Sequence, residues 1–375
     1  DDLKGFEWDY WDRFVNEGMI IKETTDHPAA KSIRFPLIPP HDLRYSRDGT
    51  EILYTATDKN HTIRIWGLRA DTEFLSLSGH SDQVDDLAFT PDNTKIVSCS
   101  GGDGTVRVWN GKTGVQQFKF DVRGARPPIY VRCVAISPDG KFIAGAGMDD
   151  PRTDDEENVL TVWDTDTGKI VCSIQDPALD GAVWQIAFSP DGSSVIDFRR
   201  GANVGSGVLT LWDIRSGKVA WRVKPLELDP KRQIEFSALG KTFLTAEVSP
   251  PSLTLRDAKT GKELWSRING GYSSSVSPDG HRFGYSSGGS VSVGQMKDGK
   301  MRMAHNFDNA TLLAFNPNGK HFVSGKQDGT IREWHVESIQ VPFLAGHTAQ
   351  VSQILFSSDG KQVFSSSLDG TVRIW

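Results

Sequence analysis

Short runs in which apolar and polar residues alternate follow one another along most of this chain, each closed by a turn rich in Gly, Pro, Asp or Asn. "VDDLAF" (84–89) and "VWQIAF" (183–188) are of this kind. A period of two puts the apolar positions on one face of an extended strand, so the pattern predicts many short, half-buried strands. One segment departs from it. Leu3, Phe6, Tyr10 and Phe14 recur every three or four residues, with Trp11 and Val15 beside them and Gly18 placed as a stop. That spacing predicts a short amphipathic helix, and residues 1–30 read as this helix and a linker.

The strand runs recur in phase. Aligned on the turn "SPDG" they give "SRDG" at 46, "TPDN" at 90, "SPDG" at 137, 189 and 277, "SALG" at 237, "NPNG" at 316 and "SSDG" at 357: eight units spaced 39 to 52 residues apart. Most units have an apolar strand before the turn, a second strand after it, and a third ending near Trp66, Trp109, Trp163, Trp212, Trp334 or Trp375. A fourth lies beyond a "TG" or "SG" turn, as in "TGKIVCSI". Units five and six carry Arg256 and Gly294 in place of the tryptophan. Architecture explains a feature repeated at fixed phase, whereas one active site needs no copies.

Four strands per unit, with "GH" at 79 and 346 and "WD" at 163 and 212, resemble the WD40 β-propeller family over residues 41–375. The resemblance implies an all-β, eight-bladed propeller spanning residues 31–375. Unit eight stops after its third strand, so its outer strand must come from elsewhere. "KSIRFPLI" (31–38), apolar and β-prone, is predicted to fill that place and close the ring. "DDLKGFEWDYWDRF" (1–14) is also similar to the segment that joins a propeller to upstream regions in bacterial multidomain regulatory proteins, serine/threonine-kinase fusions among them. The alternative is a helix packed against the propeller's side. The abrupt start and the final strand residue, Trp375, suggest a segment cut from a longer chain.

In the family, the "GH" histidine, a second-strand hydroxyl, the turn aspartate and the third-strand tryptophan form a buried hydrogen-bonded set. That carries over to His80, Ser98, Asp103 and Trp109, and to His347, Ser365, Asp369 and Trp375, with Ser100 and Ser367 as fallback hydroxyls. Unit seven offers Ser324, Asp328 and Trp334, with His305 one residue out of alignment. Ser, His and Asp together also suit a hydrolase, but a histidine held between buried partners in several units argues for structure, and no catalytic residue is assigned.

Composition narrows the function. The 37 glycines, 18 prolines and 37% hydrophobic residues suit many strands and turns. A net charge of −6 with both signs interspersed argues against broad binding to nucleic acid or to an anionic membrane. Cys99, Cys133 and Cys172 are odd in number and sit in apolar runs, which predicts buried free thiols in a reducing compartment. The start is unlike a signal peptide, and no apolar run approaches the roughly 18 residues of a spanning helix, so a cytoplasmic protein is expected; a monomer is expected as well. No CxxC or His/Cys cluster suggests zinc, and no metal or cofactor is implied. "GANVGSG" (201–207) lacks the lysine and helix of a phosphate loop, "DTDTGK" (164–169) lacks the closing glutamate of a calcium loop, and "WDIR" (212–215) resembles a four-residue motif of ubiquitin-ligase-associated propellers.

Two function classes remain. The first is a scaffold that binds a protein or peptide on the face carrying the loops between second and third strands and between successive units. Two of those loops are enlarged. Acidic "MDDPRTDDEENV" (148–159) reads as a solvated loop, a calcium site or a contact for a basic partner; "FRRGANVGSGV" (198–208) brings Arg199 and Arg200, with Arg123 and Arg126 nearby. The family's rim position, one residue after the first apolar residue of the first strand, gives Asp85, Arg132, Trp184, Arg232, Tyr272 and Ser352, with Tyr130 flanking. Arginine and aromatic residues are the types enriched at binding hot spots. Trp184 either meets a partner there or is covered by the 199–207 loop. The second class is an enzyme, or a small-ligand or metal-binding propeller, that uses the central channel.

Overall fold

The computed structural model describes residues 20–23, 31–34, 43–45, 51–55, 61–67, 75–121, 130–148, 159–175, 182–200, 207–226, 234–237, 240–248, 251–268, 273–277, 279–287, 290–306, 310–316, 319–326, 331–335, 343–344, 346–357 and 360–375. The expected helix over 1–18, most of the acidic loop, Arg232, Tyr272 and Asp328 lie outside these residues. Regular structure among the described residues is antiparallel strand, arranged in eight sheets. Seven are four-stranded meanders; sheet two, for example, runs Val84–Phe89, Lys95–Ser100, Thr105–Asn110 and Gln116–Asp121, called here strands a to d.

Sheet eight joins the two ends of the chain. Its strands a to c are Val351–Phe356, Val363–Ser367 and Thr371–Ile374, and its fourth is Lys31–Arg34, paired through Ile33↔Val372 and Lys31↔Ile374. A fifth strand, Ile20–Glu23, pairs outside it (Ile21↔Ile33) in the stretch that the sequence assigns to a linker. Lys31–Arg34 would otherwise present an open edge, and the adjacent β-branched Ile20 and Ile21 belong to a segment suited to pair with it.

The turn that keys the repeat is held by local bonds. Ser137 Oγ donates to Asp139 Oδ1 at 2.6 Å, Phe142 N donates to Ser137 Oγ at 2.9 Å, and Gly140 N donates to Ser137 O at 2.8 Å. Gly140 has φ +76°, a conformation that a Cβ disfavours, and in "TPDN" Asn93 takes it at +58°.

Neighbouring sheets pack through their first strands: Tyr130–Ile136 lies between Val84–Phe89 and Ala182–Phe188. Apolar clusters cross the boundaries, as where Trp163 of sheet three joins Val106, Val108 and Phe120 of sheet two, with Phe120 and Trp163 ring centroids 4.8 Å apart. Sheets five and six, which lack the third-strand tryptophan, receive an indole from the sheet before. Trp221, on the fourth strand of sheet four, stacks on Phe243 and donates Nε1–H to Ala258 O at 2.9 Å. Trp265, on the fourth strand of sheet five, contacts Phe283 and donates to Met296 O at 2.9 Å.

Candidate interaction rim

The Ser–His–Asp constellation has a geometry that explains itself. In sheet two, Gly79 leaves room for its neighbours, since a Cβ there would stand 2.7 Å from Arg107 Nη1 and 3.0 Å from the Trp109 ring. His80 follows, with Nδ1 2.7 Å from Asp103 Oδ2 and Nε2 2.8 Å from Ser98 Oγ, while Trp109 Nε1–H donates to the same hydroxyl at 2.9 Å. An indole nitrogen only donates, so with a neutral imidazole the serine proton goes to Nε2, and Nδ1–H goes to Asp103. Every member is then satisfied. Sheet eight repeats the set through His347, Asp369, Ser365 and Trp375 at 2.8–2.9 Å, and sheet seven retains Trp334 Nε1–H donating to Ser324 Oγ at 2.7 Å. Ser98 has no exposed surface and its hydroxyl is already committed, so it cannot reach a substrate.

Electrostatics agree with a structural role. Burial opposes ionisation of Asp103, but the hydrogen bond and charge of His80, the Thr105 hydroxyl and Ser81 N–H prevail and hold its carboxyl at about 2. The same balance keeps Asp369 far below the usual carboxylate range. Cys99, Cys133 and Cys172 are free, and burial pushes all three thiols up, away from the reactive thiolate. Among the described residues no group of three or more His, Cys, Asp or Glu is placed to hold a metal.

Four of the expected rim residues share a backbone device. In strand a of sheets two, three, four and eight, the pairing with strand b skips one residue: between Val84 and Asp86, Val131 and Cys133, Val183 and Gln185, and Val351 and Gln353. The skipped residues are Asp85, Arg132, Trp184 and Ser352. Such a bulge takes a residue out of the ladder and re-aims its side chain. Asp85, Arg132 and Ser352 are exposed and Trp184 is half-buried.

Four candidates form one tract across three sheets. Gly101 N–H donates to Asp85 Oδ2 at 2.5 Å, and a Cβ on Gly101 would lie 2.9 Å from that oxygen and 3.3 Å from the Tyr130 ring. Two residues beyond Tyr130, the Arg132 guanidinium lies 4.7 Å above the Trp184 ring centroid. Trp184 in turn packs against the cluster of Ile196, Phe198 and Leu209. Ser352 belongs to sheet eight, in hydrogen-bond contact with Ser366 Oγ at 2.8 Å.

Arg199 requires a correction. Expected at the rim, it has no exposed surface; its Nε donates to Asp197 Oδ2 at 2.7 Å, and both side chains are fully buried. The physical reason is strand parity: Asp197 and Arg199 share one face of Ser194–Arg200, and the carboxylate draws the guanidinium inward. Arg200 pairs with Ala182 at the end of the same strand. Sequence reasoning missed Thr311, which sheet seven skips in the same way between Ala310 and Leu312; its phase ahead of "NPNG" was the available signal. It also missed two carboxylates that tie sheets together. Val134 N–H donates to Asp86 at 3.0 Å, and Val276 N–H donates to Glu235 at 2.6 Å.

Comparison with known proteins identifies the repeat. The model of the WD domain, G-beta repeat, matches residues 72–110, 122–150, 300–335 and 338–375, so these segments carry WD40 repeats. Among similar proteins, Actin-interacting protein 1 of Drosophila melanogaster is 23% identical over 226 residues, covering 60% of this chain and 34% of that protein. THO complex subunit 3 of Arabidopsis thaliana is 28% identical over 117 residues, covering 30% of this chain and 35% of that protein. A WD repeat-containing protein of the cyanobacterium Synechocystis is 40% identical over 119 residues, covering 31% of each. The chain thus spans about a third of the length of these relatives.

Proposed function

We propose that this chain is a non-catalytic scaffold whose eight sheets close into a WD40 propeller, and that it binds a protein or peptide partner at the bulged rim. One observation carries the reading: register skips take Asp85, Arg132 and Trp184 of three successive sheets out of the ladder, with Arg132 over the Trp184 ring. The WD40 repeats and the WD-repeat relatives support it, since proteins of this kind typically act through protein partners. The free thiols suit a cytoplasmic setting, and the cyanobacterial relative is in keeping with a bacterial signalling chain. Affinity capture from the source organism tests the binding role. Wild type should retain a specific partner that Trp184→Ala loses, and equal capture by both proteins would refute the rim. Ring closure has its own test: removing residues 31–34 should lower the melting temperature cooperatively, and an unchanged, monomeric protein would refute it.

A further inference from the structure

Resting on that reading, we infer that Arg132, lying over the Trp184 ring, is a receptor for an oxyanion, carboxylate or phosphate, carried by an extended peptide. The Arg132 guanidinium carbon lies over the Trp184 ring, 4.7 Å from its centroid, a cation–π contact that anchors the charge without using it up in an ion pair. Arg132 is exposed, and no hydrogen bond or ion pair joins it to another described residue. Its position is nevertheless fixed twice, by the bulge between Val131 and Cys133 and by an indole that is itself seated on Ile196 and Phe198. A guanidinium anchored in this way offers the paired N–H donors that carboxylate and phosphate accept, and part of the ordering cost of binding has been met in advance.

The rest of the tract decides between partners. Tyr130, half-buried beside Arg132, offers apolar contact, and beyond it Asp85 and the exposed Asp82 present negative charge. A ligand with one anionic group at the Arg132 end and none at the Asp85 end fits. A nucleic-acid strand, with a phosphate at every step, would meet those carboxylates as well as the chain's net charge of −6. A peptide with a single Asp, Glu or phosphorylated side chain avoids both.

The test uses the intact chain on arrays of twelve-residue peptides with random flanks and a fixed central Glu, Gln, phosphoserine or Lys, with a single-stranded DNA twelve-mer alongside. Wild type should bind the Glu or phosphoserine series about tenfold or more above the Gln series, and the larger of the two names the source of the oxyanion. Arg132→Gln should level the series at an unchanged melting temperature, and Arg132→Lys, which keeps the charge without the fork, should retain part of the preference. Binding of both the Glu and the phosphoserine series no tighter than the Gln series, or a preference that survives Arg132→Gln, would overturn the inference while leaving the rim standing if Trp184→Ala still weakens every series. Tighter binding to the DNA than to any peptide would overturn it in favour of nucleic acid. Binding to no peptide at all would count against both the inference and the rim.

Discussion

Arg199 Nε–H donates to Asp197 at 2.7 Å in a pair without exposed surface, and Trp212 Nε1–H takes the other carboxylate oxygen at 2.9 Å. Asp197 stands opposite Thr210 with the tryptophan two residues on, the place that Ser98 occupies opposite Arg107 in sheet two. Sheet four has thus exchanged a hydroxyl set for a buried ion pair, with Arg199 Nη1 and Nη2 left without hydrogen-bond partners among the described residues. Arg199→Ser alone should destabilise by roughly 3–5 kcal/mol, because it strands a buried carboxylate. The double change Asp197→Ser with Arg199→Ser should be less damaging than the single one. Urea unfolding of the three proteins decides, and a double variant no better than the single would show that the pair is uncoupled.

Ser98→Ala should remove about 1–3 kcal/mol, since His80 Nε2 and Trp109 Nε1 both lose their partner inside the protein. Ser365→Ala should cost a similar amount. The two losses should add to within about 0.5 kcal/mol because the sets share no residue. Marked non-additivity in thermal unfolding would point to coupling between sheets two and eight.

Acid should weaken the fold through the same sets. Asp103 sits at about 2 in the folded chain against 3.8 for the free side chain, so its contribution is complete above about pH 4 and is lost as pH falls towards 2. Asp369, also lowered, acts in the same direction. Asp103→Asn should flatten the dependence of unfolding free energy on pH between 4 and 2, and an unaltered slope would exclude Asp103 as a source.

Glu235 has the opposite sign. Desolvation pushes its carboxyl up to about 8, against the pull of Val276 N–H. Between about pH 4.5 and 8 the folded chain retains a proton that the unfolded chain has released, so stability falls as pH rises through this window and levels off above it. Glu235→Gln stays neutral and keeps an acceptor for Val276. It should flatten the decline, which unfolding at pH 5 and pH 8 will show.

Trp265→Ala should cost about 3–5 kcal/mol by emptying the space against Phe283 and orphaning Met296 O. Trp265→Phe keeps a ring but loses the donor, and should cost clearly less. Equal losses in a melting experiment would mean that the hydrogen bond, rather than the packing, joins sheets five and six.

Strand identity, turn type and repeat phase were legible in the sequence because their causes are local. The bonds of Ser137, Asp139 and Gly140 all fall within a few residues, and alternation reports which face of a strand is buried. The His80 and His347 sets were legible for a related reason: two copies at one phase disclose each other. The candidate rim was half legible: phase singled out Asp85, Arg132, Trp184 and Ser352, but the bulges at which they fall belong to the pairing of two strands. Tertiary structure alone decided the remainder. Arg199 turned inward because Asp197 lay on its own face beneath covering strands, and Arg132 found Trp184 because two sheets pack side by side. Trp221 and Trp265 replace indoles missing from the next sheet, and Ile20–Glu23 completes a sheet begun at the other end of the chain. Each of these depends on the distance between segments remote in sequence, a quantity that packing sets and that no local pattern encodes.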